Sequence, residues 1–375
     1  MLPYNIEFFR NNMGQLEYVH RDMASHIVID DDYISGNTSS LEIGSTELVK
    51  NGDYIYIRND EVNFFGVVAD VAPGEYKTQI SYRPFITVFD EDFLFDTHRQ
   101  GTRSTAVSLE QTLVDYLTSL YVNPSDPYQK LPITVSTDIP TAQQTTRWSL
   151  NLTPDTAGDH YTIIGLYTVL IVNSLKKYGV AIRVRPSITQ KKVILTVTKS
   201  SQRLNIDGDL DNVTVKTLKY NERPTGVNKL TVYNTENYSV SVDFFVHTDR
   251  TFSVDETQNR ITPVVRDVKG TQPDSDVTDP STAFAVAALD VAYSVFSGIE
   301  WDNLIELETF ISDDNIRPMS MEIGQTIKLW YKGGTYQSIL TGKTIGTDGI
   351  TLLFGSERIQ YSKRYNKVWR KNQNA

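Results

Sequence analysis

The sequence predicts an α+β chain that is mainly β, with two similar antiparallel β-barrel domains, an α+β domain and a helix-bearing insertion. Three observations predict it. Short apolar–polar alternations separated by polar turns fill residues 1–100 and return near the C-terminus. Helical spacing with start and stop residues is confined to the middle and to one later segment. A strand–turn–strand rhythm near Gly52 recurs near Gly324.

Taken in order, "EYVHRDMASHIVIDDDYISG" contains a strand near Ala24–Ile29, followed by a polar turn that includes the acidic run Asp30–Asp32. Asn51-Gly52 is a turn dipeptide suited to positive φ. "DYIYIR", "FFGVVADVA" and "KTQISY" then read as strands. After Gly101 the period changes: Leu109, Leu113, Leu117 and Leu120 share one helical face, Ser108 with Gln111 forms a capping box, and Asn123-Pro124 is a stop. A second helix is expected over about 157–178, ending in Lys176, Lys177 and a capping Gly179. A hairpin of "VAIRVRPSI" and "KKVILTVTKS" follows. Strands resume from Val213, "VVRDVKGTQPDSDVTDPSTA" reads as a loop, and a third helix runs over about 282–296 behind Pro280. "LIELETFI" is a strand that leads into the second copy of the opening rhythm. The expected division is 1–100 for the first barrel, 101–212 for the α+β domain, 213–245 with 317–375 for the second barrel, and 246–316 for the insertion.

Aligned on Gly52 and Gly324, Ile55 and Ile57 match Ile327 and Leu329, Phe65 and Val68 match Tyr336 and Ile339, and Ile80 and Tyr82 match Leu352 and Phe354. Two explanations stay open here: duplication, or the generic likeness of antiparallel meanders. If duplication is real, a trimer presents six similar units and can match a threefold object to a sixfold one.

The composition is that of a globular chain, with 39% hydrophobic and 22% charged residues, so disorder is excluded. There is no cysteine, which excludes disulfides, thiolate metal sites and cysteine nucleophiles. No apolar run reaching the ~20 residues of a membrane helix is read from the sequence, and "MLPYNIEFFRNN" lacks the n- and h-regions of a secretory signal. A net charge of −10 argues against a dedicated nucleic-acid binder, yet suits a duct through which DNA slides without sticking. Aromatics include 21 Tyr, which fits either interfaces or plain β-richness.

Chemistry is sparse. "TGKT" at 341–344 lacks the earlier glycine of a phosphate loop, since Gln337 stands there. None of His20, His26, His98, His160 and His247 has H-E-x-x-H spacing. Asp207, Asp209 and Asp211 alternate as at the start of a calcium loop, but Asn212 and Leu218 replace its glycine and glutamate, so they are the weak metal candidate beside a linker-turn reading. Calcium is the cofactor this would imply. The basic "SKRYNKVWRKNQNA", with Trp369, reads as a solvated end or as a strap onto an acidic neighbour.

The order β domain, α+β domain with a long first helix, and second β domain interrupted by a helix-bearing insertion resembles the baseplate hub, or tail-associated lysin (Tal), family of siphophages. The opening "LPYNIEFFRNNMGQLEYVHRD" resembles the short hub form of lactococcal siphophage baseplates. The resemblance implies a non-enzymatic virion protein at the tail tip. It implies a homotrimer that docks on a distal tail ring protein, closes the tube and opens to pass DNA, with tape-measure and receptor-binding proteins as further neighbours. Family members that act as hydrolases carry an added C-terminal domain, which is not read in residues up to Ala375. A carbohydrate-binding adhesion module and a cell-wall hydrolase are the rival readings.

Overall fold

A computed structural model describes residues 3–24, 27–90, 92–94, 107–150, 163–200, 203–210, 213–222, 226–257, 259–274, 277–347 and 349–358. Among the described residues the chain is mainly β with three α-helices. The first sheet has six strands in the order β2 (Gln15–Ala24), β1 (Tyr4–Asn12), β5 (Tyr54–Arg58), β6 (Asn63–Pro73), β7 (Lys77–Pro84) and β4 (Ser39–Gly44). The β1–β2 turn places Met13 and Gly14 at φ 47° and 84°, the left-handed pair that matches strand twist. The sheet curls so that Asp22 Oδ2 on β2 accepts the Gly44 amide at the end of β4.

The "YIYI" of β5 is buried on both faces, and alternation sorts its side chains between two cores. Ile55 and Ile57 point into the β core. Tyr54 and Tyr56 point the other way and join Phe65 and Phe85 against the middle domain. There Tyr54 packs 5.8 Å from Phe65 and 5.5 Å from Phe85, ring centre to ring centre. These rings give way to α1 (Leu109–Leu117), α2 (Val172–Tyr178) and a sheet of β11 (Val180–Ser187), β12 (Lys192–Lys199) and β9 (Ile133–Thr137). Ser108 caps α1 by accepting from Gln111 N, as its sequence predicts. Gly179 ends α2 at φ 68°. Of the expected second helix, residues 157–162 lie outside the described residues, 163–165 form β10, paired with β8 (Asp92–Leu94), and 166–178 are helical.

A seven-stranded sheet holds β13 (Arg203–Asp207), β20 (Thr326–Tyr331), β21 (Gly334–Ile345), β22 (Ile350–Phe354), β19 (Asn303–Thr309) and β14 (Thr217–Glu222), with β3 (Ile29–Asp32) joined to β21. A four-stranded sheet orders β17 (Phe252–Ser253), β16 (Ser241–Val246), β15 (Lys229–Asn234) and β18 (Arg266–Thr271) beneath α3 (Pro280–Phe296). Strand pairing therefore moves the expected boundaries. β13 leaves the middle domain for the seven-stranded sheet, and β15 and β16 lie with the insertion rather than with the second β unit. The segment read as a loop supplies β18, which runs parallel to β15. Parallel partners lie far apart in sequence, so alternation alone cannot assign them.

α3 is capped by Asp279, whose carboxylate accepts from Thr282 N, and it has Pro at its first turn. Continued to Trp301 it is 22 residues long, and its most apolar 18-residue stretch has a mean hydropathy of 1.6, so by length and composition alone it is apolar enough to cross a membrane, which the sequence reading did not register. Here Phe284, Ala288, Ala292 and Phe296 seat it on Leu230, Val232, Phe244 and Val246 as a core helix. Gly298, at φ 84°, lets the helix end close onto the last turn of α2: a Cβ there would lie 2.2 Å from the Lys176 carbonyl oxygen. Gly298→Ala is expected to cost about 2 kcal/mol or more, from left-handed strain and a backbone clash. Urea unfolding would read this as a lower midpoint, and an unchanged midpoint would refute the tight docking of α3.

Candidate assembly interface

The repeat survives at the level of single hydrogen bonds. Gly52 and Gly324 have φ 85° and 89°, and a constant shift of 272 (52 to 324, 82 to 354) maps one meander on the other. Gly52 N donates to Val68 O at 2.9 Å, and Gly324 N donates to Leu340 O at 2.8 Å. Val68 N donates back to Asp53 O, as Leu340 N does to Gln325 O. Gly74 N reaches Lys77 O, and Gly346 N reaches Gly349 O. Each central strand carries a bulge at the same place, between Val68 and Asp70 and between Leu340 and Gly342. The outer strand matches too: Leu41 on β4 faces Ile80 as Leu307 on β19 faces Leu352.

This register corrects one part of the sequence alignment. Phe64, not Phe65, stands at the place of Tyr336, and Val68 at that of Leu340. A slip of one residue exchanges the two faces of a strand. With the corrected register, Ile55, Ile57, Val68, Ile80 and Tyr82 and their counterparts Ile327, Leu329, Leu340, Leu352 and Phe354 all enter one shared core.

The units differ at one edge. Past its bulge, β21 carries β3 as an antiparallel neighbour, with Gly342 opposite Asp32 and Lys343 opposite Asp31. A Cβ on Gly342 would lie 3.0 Å from Asp32 Cα, so glycine admits the close approach. Asp70 holds the equivalent place in the first unit and is exposed. Tyr33 follows directly on β3, and its amide donates to Thr341 O at 3.0 Å. Its carbonyl accepts from the Tyr167 hydroxyl, and its own hydroxyl accepts from Ile182 N, both at 3.0 Å. The segment thus ties the first unit, the second unit and the middle domain together.

The acidic run 30–32, expected as a solvated turn, lies in this strand. Asp32 is 1% exposed and takes a two-pronged grip from Arg358, Nε at 2.8 Å and Nη2 at 2.7 Å. Burial pushes the Asp32 carboxyl up, but the hydrogen bonds and charge of Arg358 outweigh it and hold the group below the usual range. Lys343 of "TGKT" is buried in β21 and donates to Met319 O and Met321 O, with no loop for a phosphate around it. Burial pushes its ammonium down to about 8, with Asp31 opposing. Burial likewise pushes the Asp31 carboxyl up to about 6, with Lys343 opposing.

Of the metal candidates, Asp207 Oδ1 accepts from Asp209 N and Asp209 Oδ1 accepts from Lys332 N. Both carboxylates serve a turn that meets the β20–β21 hairpin, and Asp211 lies outside the described residues. Among the described residues no group of three or more His, Asp or Glu gathers. His20 stacks on Phe8, and buried His247 bonds Ser253 through Nε2; His26, His98, His160 and Trp369 lie outside the described residues. Nothing in the sequence marked Arg358 and Asp32 as partners, because they stand 326 residues apart.

Two outcomes are expected of this junction. Asp32→Asn leaves the Arg358 cation without its buried partner and is expected to cost about 3 kcal/mol, read by urea unfolding. Asp31 keeps its proton more tightly in the fold than at its ordinary 3.8, so the stability it contributes is lost as pH rises from there through about 6. Lys343 keeps its proton less tightly than at 10.5, so stability is recovered as pH rises from about 8. Asp31→Asn is expected to flatten the acid limb of stability against pH; an unaltered limb would show that Asp31 is not its source.

No protein-family model matches the chain, and a search of curated proteins finds no sequence match. Among solved structures, its fold is similar to that of a tail protein from Neisseria meningitidis MC58, with a TM-score of 0.50 and 10% identity over 94% of this chain and 96% of that one. The 43 kDa tail protein of prophage MuSo2 from Shewanella oneidensis aligns over 93% of this chain and 98% of its own, with a TM-score of 0.48 and 12% identity. A chain of the p2 virion baseplate in its activated conformation aligns over 95% and 100%, with a TM-score of 0.47 and 13% identity. At these identities the likeness is one of fold.

Proposed function

We propose that this chain is a structural, non-enzymatic component of a phage tail tip: a hub that assembles as a homotrimer and closes the distal end of the tail tube. Its two four-stranded units act as barrel-like repeats, so three chains offer six similar faces to a sixfold distal tail ring protein. The middle domain and the helix-bearing insertion form the closure, which parts to let DNA through. Tape-measure and receptor-binding proteins are the expected neighbours, and the virion tail tip is the place of action.

The observation that carries this reading is the common hydrogen-bond register of the two units, which gives each chain two like scaffolds to offer to a ring. The fold shared with a Neisseria meningitidis tail protein supports it. So does the net charge of −10, which lets a polyanion slide past without adhering.

Light scattering after gel filtration tests it. The mass of three chains is the expected result. A dimer, or a monomer at every concentration reached, overturns the trimeric hub.

A further inference from the structure

Lys177, on the last turn of α2, is an ammonium group in the wall of an apolar cavity. The cavity has a volume of about 990 Å³ and lies where α2, α3, the inserted sheet and the second β unit meet. Lys177 Nζ donates to Ser294 O at 3.1 Å. Burial lowers its pKa, and among the described residues no carboxylate acts on it. A cation so placed is best satisfied by an anion brought to it.

The rest of the wall has the same two-part character. Phe252, Leu289, Phe296 and Trp301 supply apolar surface. Phe252 packs 5.2 Å from both Tyr293 and Phe296, ring centre to ring centre, so this wall is preformed. Arg147, Lys199 and Arg250 add three further cations, and Glu300 is the one carboxylate among the lining residues described. Arg147 is already held by Asp290 at 3.0 Å. Lys199 acts on Glu300, so Lys177 is the cation in this wall that a ligand's anion would answer. The volume matches ligand sites of roughly 300–1,000 Å³, which pair an apolar wall with a few placed polar groups.

We propose that this cavity binds an anionic amphiphile, with an acyl chain against Phe252, Leu289, Phe296 and Trp301 and a carboxylate or phosphate head on Lys177. A free fatty acid and a single-chain phospholipid share that chemistry. The site is independent of whether the chain forms a tail-tip hub.

Titration of the full chain with the fluorescent fatty acid cis-parinarate, below its micelle concentration, tests the site. Saturable binding is expected. Oleate and lysophosphatidylglycerol compete in separate arms, and the better competitor identifies the head group. Oleyl alcohol, which has the chain without the charge, is expected to compete at least about tenfold more weakly, as one charged hydrogen bond in an apolar site requires. Leu289→Trp intrudes on the wall where the acyl chain would lie and is expected to weaken binding. Should that variant unfold, Lys177→Met serves as well: it weakens oleate about tenfold and leaves oleyl alcohol unchanged. Unsaturable uptake, equal competition by oleate and oleyl alcohol, or unchanged oleate binding in a folded Lys177→Met protein overturns the proposal.

Discussion

Five residues, Ile29 to Tyr33, hold the molecule together. β3 extends the sheet of the second unit while its chain belongs to the first, and Tyr33 spends its amide, carbonyl and hydroxyl on two other parts of the fold. A lone strand between two sheets needs a partner edge, a glycine to let it in and a cancelled charge. β21, Gly342 and Arg358 meet those needs in turn. Because buried groups from three regions depend on this segment, the units behave as one packed body and share one core.

The two like units show what a meander must keep and what it can change. Kept are the left-handed glycine that opens it, the bulge that bends the central strand and the inward aliphatic or aromatic at each buried position. These set backbone path and register. Side chains differ widely on the same frame: Tyr54 faces the aromatic layer of the middle domain where Thr326 stands in the second unit. Neighbours also differ, since β1 runs antiparallel to β5 while β13 runs parallel to β20. Two equivalent scaffolds thus carry unequal surroundings, one against the middle domain and one against β3.

The insertion and β3 are attached differently. The insertion meets the rest through Gly298, Trp301 and Lys177 at one end of α2 and through Arg147, which pairs with Asp290 and lies over the Tyr293 ring, beside an open apolar cavity. β3 is held by continuous β pairing over a sealed ion pair.

Legible in the sequence alone were the α+β, mainly β class, the caps at Ser108 and Gly179, and the likeness of the meanders around Gly52 and Gly324. Each is a local matter of period, φ or a capping atom two or three residues away. The tertiary structure decided the rest. It placed Asp30–Asp32 in a buried strand, gave "VVRDVKG" a parallel partner in β15 and set the second unit's register one residue from the aligned guess. It also paired Asp32 with Arg358 and gathered Lys177 with the aromatic wall of α3. These depend on which distant edge a strand finds and on which charge can be neutralised once water is removed. Neither is written in the spacing of neighbouring residues.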